Sequence, residues 1–305
     1  MKVTRITTHP RTFHADDAFA VVVLTALYPR ATVMRKSPEA DFVQTKRPDE
    51  VFVDVGGYYL PEQGCFDHHQ RGFSETHALP GHWPMAAFGL IWRHYGVEFC
   101  GGDMEVAVWM EEHLVCWIDA LDNGDDVVKS EVPTLSDLID DFNFWPVAVQ
   151  NLLDFRPVTM QDLRFAKALK FAREVLAMRL HKARLEVEAL RQVRKRMEQT
   201  PGKILILEEE CTWFDAVLRL NEKRTEPILF VVYLRADKTW CCQAVSTQLK
   251  PFEPMKPFPE LWRGLSDKAL QQASKISDAI FCHRAGHLLI TQSKESALNA
   301  ANQNT

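Results

Sequence analysis

Apolar and polar residues fall into short blocks whose period changes along the chain. Val3 to Thr8 alternates weakly, which predicts a first strand, and it runs into the polar loop His9-Pro10-Arg11-Thr12-Phe13-His14-Ala15-Asp16-Asp17. The next stretch, Ala18 to Tyr28 (AFAVVVLTALY), is almost wholly apolar. As a helix it is buried on most faces, and Pro29 closes it. Ala31 to Met34 and Phe42-Val43 predict short strands, and Val51 to Val55 a stronger one broken by Gly56-Gly57. A loop rich in His, Pro and Gly (residues 70 to 84) precedes helices predicted over Met85 to Tyr95 and Val106 to Leu121. Residues 127 to 160, with Pro133, Pro146 and Pro157, read as connecting structure with short helical turns.

The longest helical pattern, Gln161 to Gln199, lacks Gly and Pro and is ended by Pro201-Gly202. Leu163, Leu169, Val175, Leu176, Leu180, Leu190 and Val193 give it an apolar stripe. Beyond it, strands are predicted at Ile204 to Leu207, Ile228 to Leu234 and Trp240 to Val245. A Pro-rich run (Phe252 to Pro259), a helix over Asp267 to Ser277 and the apolar Ala279 to Cys282 follow, and the polar tail after Ala297 is expected to fray. Strands alternating with helices make the fold class α/β. We expect a parallel-sheet domain at 1–155, a long basic connecting helix at 156–200 and a smaller α/β domain at 201–305.

Composition narrows this picture without directing it. The 305 residues are 46% hydrophobic and 25% charged, enough for a real core and two domains. A formal net charge of -5 argues against bulk capture of nucleic acid, although a local basic strip remains open. Lys and Arg outnumber Asp and Glu by roughly two to one over Gln161 to Gln199. Most of those charges read as a solvated helix face, and the functional alternative is a basic face lining a cleft between domains for a phosphate-bearing substrate. Seven cysteines with no C-x-x-C pair read as reduced thiols. With no signal-peptide core and no apolar run of membrane length, the expected location is the cytoplasm. The oligomeric state is left open, a dimer included.

Candidate chemistry centres on Asp67-His68-His69. Desolvating three such neighbours costs a few kcal/mol unless each finds a partner, and a divalent cation such as Mn2+, Mg2+ or Zn2+ provides one. A solvated loop explains the triplet alone about as well. Three further clusters alter the balance: His9, His14 and Asp16; Asp54; and Asp119 or Asp122. Most of them follow the end of a predicted strand or helix, where a parallel sheet gathers side chains into one crevice. Two divalent ions about 3.5–4 Å apart need this mixture of carboxylates and imidazoles, and phosphoester hydrolysis by activated water is the chemistry that fits.

These clusters resemble the DHH phosphoesterase superfamily. Within it the sequence is most similar to the melanocyte-proliferating-gene family, whose eukaryotic members are described as metal-dependent RNA exonucleases. The matching stretches run almost end to end: THPRTFHADDAFAVVVLTALYP, VFVDVGGYYLPEQGCFDHHQRGF, GLIWRHYG, IDALDNG, ILFVVY, ELWRGLSDKAL and AIFCHRAG. The resemblance implies that His9, His14 and Asp16 form the first metal cluster and that Asp54 bridges. Asp67 and His68 form the third motif, with His68 as the ligand. It makes His69 a catalytic residue facing the scissile phosphate, beside Asp67. In the fourth motif Asp119 is preferred to Asp122, because it ends the apolar run; Asp17 is read as capping the following helix. The second domain resembles a substrate-binding domain closing over the metal site, with Arg263, His283 and Arg284 as phosphate contacts, or alternatively as core or interface residues.

Three segments depart from the family pattern. Pro10-Arg11 stands for Asn-Gly, Ala86-Ala87 for a pair of serines, and GHLLI for a Gly-rich end. The expected cofactor is Mn2+ or Mg2+, as two ions, and the expected activity is 3′-5′ hydrolysis of RNA or single-stranded DNA. A phosphatase or pyrophosphatase acting on a nucleotide or dinucleotide is the alternative. A non-catalytic metal-binding protein is a third reading, disfavoured because structural metal sites are closed and rich in Cys and His.

Overall fold

The computed structural model describes residues 2–79, 81–125, 132–145, 159–208, 212–247, 250 and 253–305. Its contacts divide into two compact units, Met1–Arg184 and Leu185–Thr305. The fold is mixed α/β with a largely parallel sheet in the first unit. Among the described residues no helix is long and apolar enough to cross a membrane.

The first unit begins with β1 (Arg5–Thr8), α1 (Ala15–Leu27), β2 (Thr32–Arg35), α2 (Phe42–Thr45) and β3 (Glu50–Val53). Then come β4 (Tyr59–Leu60), β5 (Cys65–Phe66), α3 (Ala87–Phe99), α4 (Met104–Met110), a π-helical turn (Glu111–Val115), α5 (Cys116–Asp122) and α6 (Leu135–Asp140). The strands lie in the order β2-β1-β3-β5-β4, parallel except for β4. β3 is buried on both faces and occupies the middle of the sheet, as its unbroken apolar run requires. Ala18 to Leu24 of α1 are all buried, which accounts for a helix with no polar face. The acidic residue Asp17 does cap: its carboxylate accepts from the His14 N–H at 2.9 Å.

A single helix, α7 (Met160–Glu198), runs 39 residues, and the division between the units falls within it. Phe165, Ala168, Ala172, Leu176 and Ala183 are its buried positions in the first unit. Several of its basic groups are spent on structure. Arg179 lies over the Trp109 ring at 4.9 Å and donates to the His113 carbonyl at 2.6 Å, and Arg173 donates to Thr25 Oγ1.

The second unit contains β6 (Ile204–Leu207), α8 (Trp213–Asn221), β7 (Phe230–Leu234), β8 (Trp240–Ala244), α9 (Asp267–Ser274), β9 (Ala279–Cys282), β10 (Leu288–Thr291) and α10 (Lys294–Asn302). Its sheet has the order β6-β7-β8-β10-β9, in which β6 and β7 pair in parallel and the remaining pairs are antiparallel.

Some local expectations change. Phe42-Val43 opens a helix rather than a strand; Phe42 packs on Phe52 at 4.6 Å, and two apolar residues carry no period to tell the two apart. The polar tail does not fray. Ala297, Ala300 and Ala301 recur at helical spacing and are fully buried in the second core, and the Ser293 side chain caps them. Gly96 does not end α3, which continues to Phe99. Pro146 and Pro157 lie outside the described residues.

Candidate metal centre

Strand register assembles the site. Thr8 pairs with Val53, and Val53 with Phe66, across three adjacent parallel strands. The residues that follow, His9, Asp54 and Asp67, therefore emerge side by side at the carboxyl edge, at the usual strand spacing of about 4.8 Å. Asp54 adopts φ +52°, a left-handed conformation that Asp tolerates better than most residues, and its N–H stays in the sheet by donating to the Phe66 carbonyl. Helix α1 brings Asp16 to the same edge, α5 brings Asp122, and the loop after β1 brings His14.

The resulting geometry is compact. His9 Nε2 lies 3.3 Å from Asp54 Oδ2, while Asp54 Oδ1 faces His68 Nε2 at 3.5 Å and His69 Nδ1 at 3.3 Å. Asp122 Oδ2 lies 3.3 Å from His68 Nε2, and Asp122 Oδ1 lies 3.9 Å from His14 Nδ1. Three overlapping donor sets result: His9-His14-Asp54, Asp54-His68-His69 and His14-Asp16-Asp122, with the ligand atoms of each set within 4.8 Å of one another. His14 and Asp54 each serve two sets.

Burial and charge set the electrostatics. Burial pushes Asp16 well above the usual carboxylate range, and the nearby Asp54 and Asp122 carboxylates add to the effect. Asp122 is raised by burial and by Asp54 as well. Burial opposes the ionisation of Asp54 too, but His68, His69 and His9 together hold it well below its ordinary range. Burial works against the charged form of His9, yet Asp54 and Asp17 push it up to about 9. Asp54 and Asp67 push the half-exposed His69 up to about 10.

Four buried atoms here, His9 Nε2, Asp16 Oδ1, Asp54 Oδ1 and His68 Nε2, have no hydrogen-bond partner within the protein. Orphaning such groups costs about 1–3 kcal/mol each, so their convergence on one point calls for a common partner. Ligands around a divalent ion at 2.0–2.2 Å stand roughly 3 Å from one another, close to the spacings found here. The donor set fits a divalent cation.

Not every residue singled out in the sequence joins this cluster. Asp119 is fully buried and turned away: Oδ2 meets His77 Nε2 at 2.9 Å, and Oδ1 accepts from the Gly89 N–H at 3.1 Å. Asp122, one helical turn further along the same face of α5, is the acid that faces His68 and His14. Ending the apolar run marks Asp119 as the more buried residue, which is why the sequence favoured it. Asp67 also has other work. Its Oδ1 accepts from His69 N and sits 2.9 Å from His69 Nδ1, and its Oδ2 accepts from the Gly57 N–H. Sequence pattern does not mark His77 and Glu111, which pair at 2.8 Å; their one signal is a histidine in the loop with no assigned role. In the second unit Arg263 Nε donates to the Phe258 carbonyl, His283 Nδ1 accepts from the Ala285 N–H, and Arg284 is exposed.

Residues 5–304 match a family model named for the MYG1 exonuclease and described as Uncharacterised protein family (UPF0160). The chain belongs to this family. It is 30% identical to the MYG1 exonuclease of Mus musculus and 31% identical to that of Bos taurus, each match covering 99% of this chain and 84% of the relative. It is 30% identical to a MYG1 protein of Chlamydia pneumoniae, over 98% of this chain and 96% of that one. Among solved structures, the Mn2+ complex of RecJ from Thermus thermophilus matches with a TM-score of 0.26 and 14% identity, over 98% of this chain and 52% of RecJ.

Proposed function

We propose that the protein is a divalent-metal-dependent phosphodiester hydrolase that removes nucleotides from the 3′ end of RNA or single-stranded DNA. The observation that carries this reading is the placement of Asp54, whose two carboxylate oxygens face His9 on one side and His68 and His69 on the other. A carboxylate so placed would suit being shared between two divalent ions, Mn2+ or Mg2+. His9, His14, Asp16, His68 and Asp122 would complete the ligand set, and the curated mammalian relatives carry the name exonuclease.

Bound ions of this kind supply Lewis-acid polarisation of a phosphoryl oxygen and acidify water for in-line attack. The chain's own residues do the rest. Asp54, held at the sheet edge by its backbone bond to Phe66, remains ionised and orients the imidazoles around it. Asp67 fixes His69 through Nδ1, which leaves Nε2 directed outward. Protonated at neutral pH, that nitrogen contacts the phosphate or protonates the leaving oxygen.

A second reading has its own support. A cavity of about 220 Å³ beside His14, Asp16 and Asp122 is also lined by Asp137 and Asp140. Acidic walls repel an extended polyanion more than a small substrate with few charges, which favours a single nucleotide or dinucleotide. Incubating the purified protein and Mn2+ with 5′-labelled single-stranded RNA and DNA tests the first reading: stepwise loss of 3′ nucleotides is expected, abolished by Asp54→Asn. No release from either strand, or the same release by Asp54→Asn, overturns it. Competition separates the two readings, since a salt-sensitive preference for long oligonucleotides supports the first and saturation by a dinucleotide the second.

A further inference from the structure

His77 is fully buried, and none of the roles above uses it. Its ring joins two carboxylates, Glu111 at Nδ1 (2.8 Å) and Asp119 at Nε2 (2.9 Å), and Asp119 reaches on to the backbone N–H of Gly89. Four segments meet here: the loop after the Asp-His-His triplet, α3, the π turn and α5. A β-carbon on Gly89 would stand 1.9 Å from Asp119 Oδ2 and 2.9 Å from His77 Cε1. The helix backbone thus presses directly on the pair, with no room for adjustment.

Three of these segments also deliver a group to the metal centre. The loop follows directly on His68 and His69. Helix α3 donates its Ala87 N–H to Asp16 Oδ2 at 3.3 Å. Helix α5 carries Asp122, one turn beyond Asp119. The π turn sets the phase of α5: each residue advances a helix by about 100°, so the extra residue of the wider turn rotates everything after it. Glu111 is the first residue of that turn.

We propose that His77 is a positioning residue for the metal centre. The Glu111-His77-Asp119 relay locks the rotation of α5 against the loop and α3, and so holds Asp122 and His68 at ligand distance. This inference rests on the metal-centre reading above. It gives the buried triad a task that packing alone does not require, since an apolar side chain would fill the same volume without burying charge.

Mn2+ binding, measured by calorimetry and by the Mn2+ paramagnetic resonance signal, provides the test. The comparison is between wild type, His77→Asn and His77→Gln, each first shown to unfold cooperatively. Asn reproduces the reach of Nδ1 and keeps Glu111, whereas Gln reproduces Nε2 and keeps Asp119. Loss of an outer partner typically weakens metal affinity about 10- to 100-fold. His77→Asn is expected to fall in that range, and His77→Gln to recover most of the loss. Equal affinities in wild type and His77→Asn overturn the inference while leaving the metal reading intact. A wild-type protein that takes up no Mn2+ overturns both. If His77→Asn does not fold, Glu111→Gln at the edge of the triad decides: an affinity reduced severalfold supports the relay, and an unchanged one removes it.

Discussion

His69 Nδ1 stands 2.9 Å from Asp67 Oδ1, and the same oxygen also accepts the His69 backbone N–H. A carboxylate that grips both the ring and the main chain of one residue fixes the direction of its ring. Its neighbour His68 instead turns Nε2 to Asp54 and Asp122. The two histidines therefore divide their tasks. His69→Gln is expected to lower kcat at saturating Mn2+ by about 100-fold or more while leaving Mn2+ affinity within a few-fold of wild type. His68→Gln is expected to lose the metal itself. Equal metal loss in both variants would refute the division.

The charge state of the centre makes metal binding depend on pH. His9 is raised from 6.5 to about 9, so between those values the metal-free folded protein holds a proton that a cation must displace. Affinity should rise with pH across this window, and calorimetry at pH 7 in buffers of different ionisation enthalpy should detect net proton release. Linkage fixes the sign for stability. A histidine raised on folding contributes stability that is complete below about 6.5 and lost as pH rises through about 9. In chelator the melting temperature should therefore fall between pH 6.5 and 9, and the increment from Mn2+ should grow. A binding enthalpy independent of buffer at pH 7 would contradict this.

Much of the centre was legible because parallel strands deliver their next residue to a common edge. His9, Asp54 and Asp67-His68-His69 each follow an apolar run, so position in the chain translates directly into position in space. The fourth acid was not legible in the same way. Asp119 and Asp122 lie one turn apart on α5, and which of them meets His68 depends on how far the helix reaches along its axis and on the phase set by the π turn. A period-3.6 reading contains no mark of a turn one residue too wide. Helix α10 escaped notice for a related reason: its core contacts come from alanines, whose burial a hydropathy pattern registers weakly amid polar neighbours.

Arg11 occupies the left-handed region at φ +71° in the loop that carries His9 and His14, and the Arg35 guanidinium holds its carbonyl at 2.6 Å. A β-carbon is disfavoured there, whereas glycine adopts the conformation freely. Arg11→Gly should stabilise the fold by roughly 0.5–1 kcal/mol, read as an increased urea midpoint at unchanged slope. Arg11→Val should destabilise by a comparable amount. If the glycine variant were the less stable one, the backbone assignment of this loop would fail.

Gly89 lies in the first turn of α3, where glycine ordinarily weakens a helix by about 1 kcal/mol relative to alanine. On propensity alone Gly89→Ala should stabilise the protein. The structure reverses the sign, because the new methyl group would meet Asp119 Oδ2 at 1.9 Å and the His77 ring at 2.9 Å. Neither neighbour is free to withdraw, since Asp119 is pinned between His77 and the Gly89 N–H, and His77 between Asp119 and Glu111. Overpacking of this kind costs roughly 3 kcal/mol. Chemical denaturation of Gly89→Ala should show a loss of that order. Pairing it with Asp119→Ala, which removes the obstructing carboxylate, should recover part of the loss, since the two substitutions share one contact and are not additive. A neutral or stabilising Gly89→Ala would mean that Asp119 does not occupy this position, and would return it to contention as the acid at the metal centre.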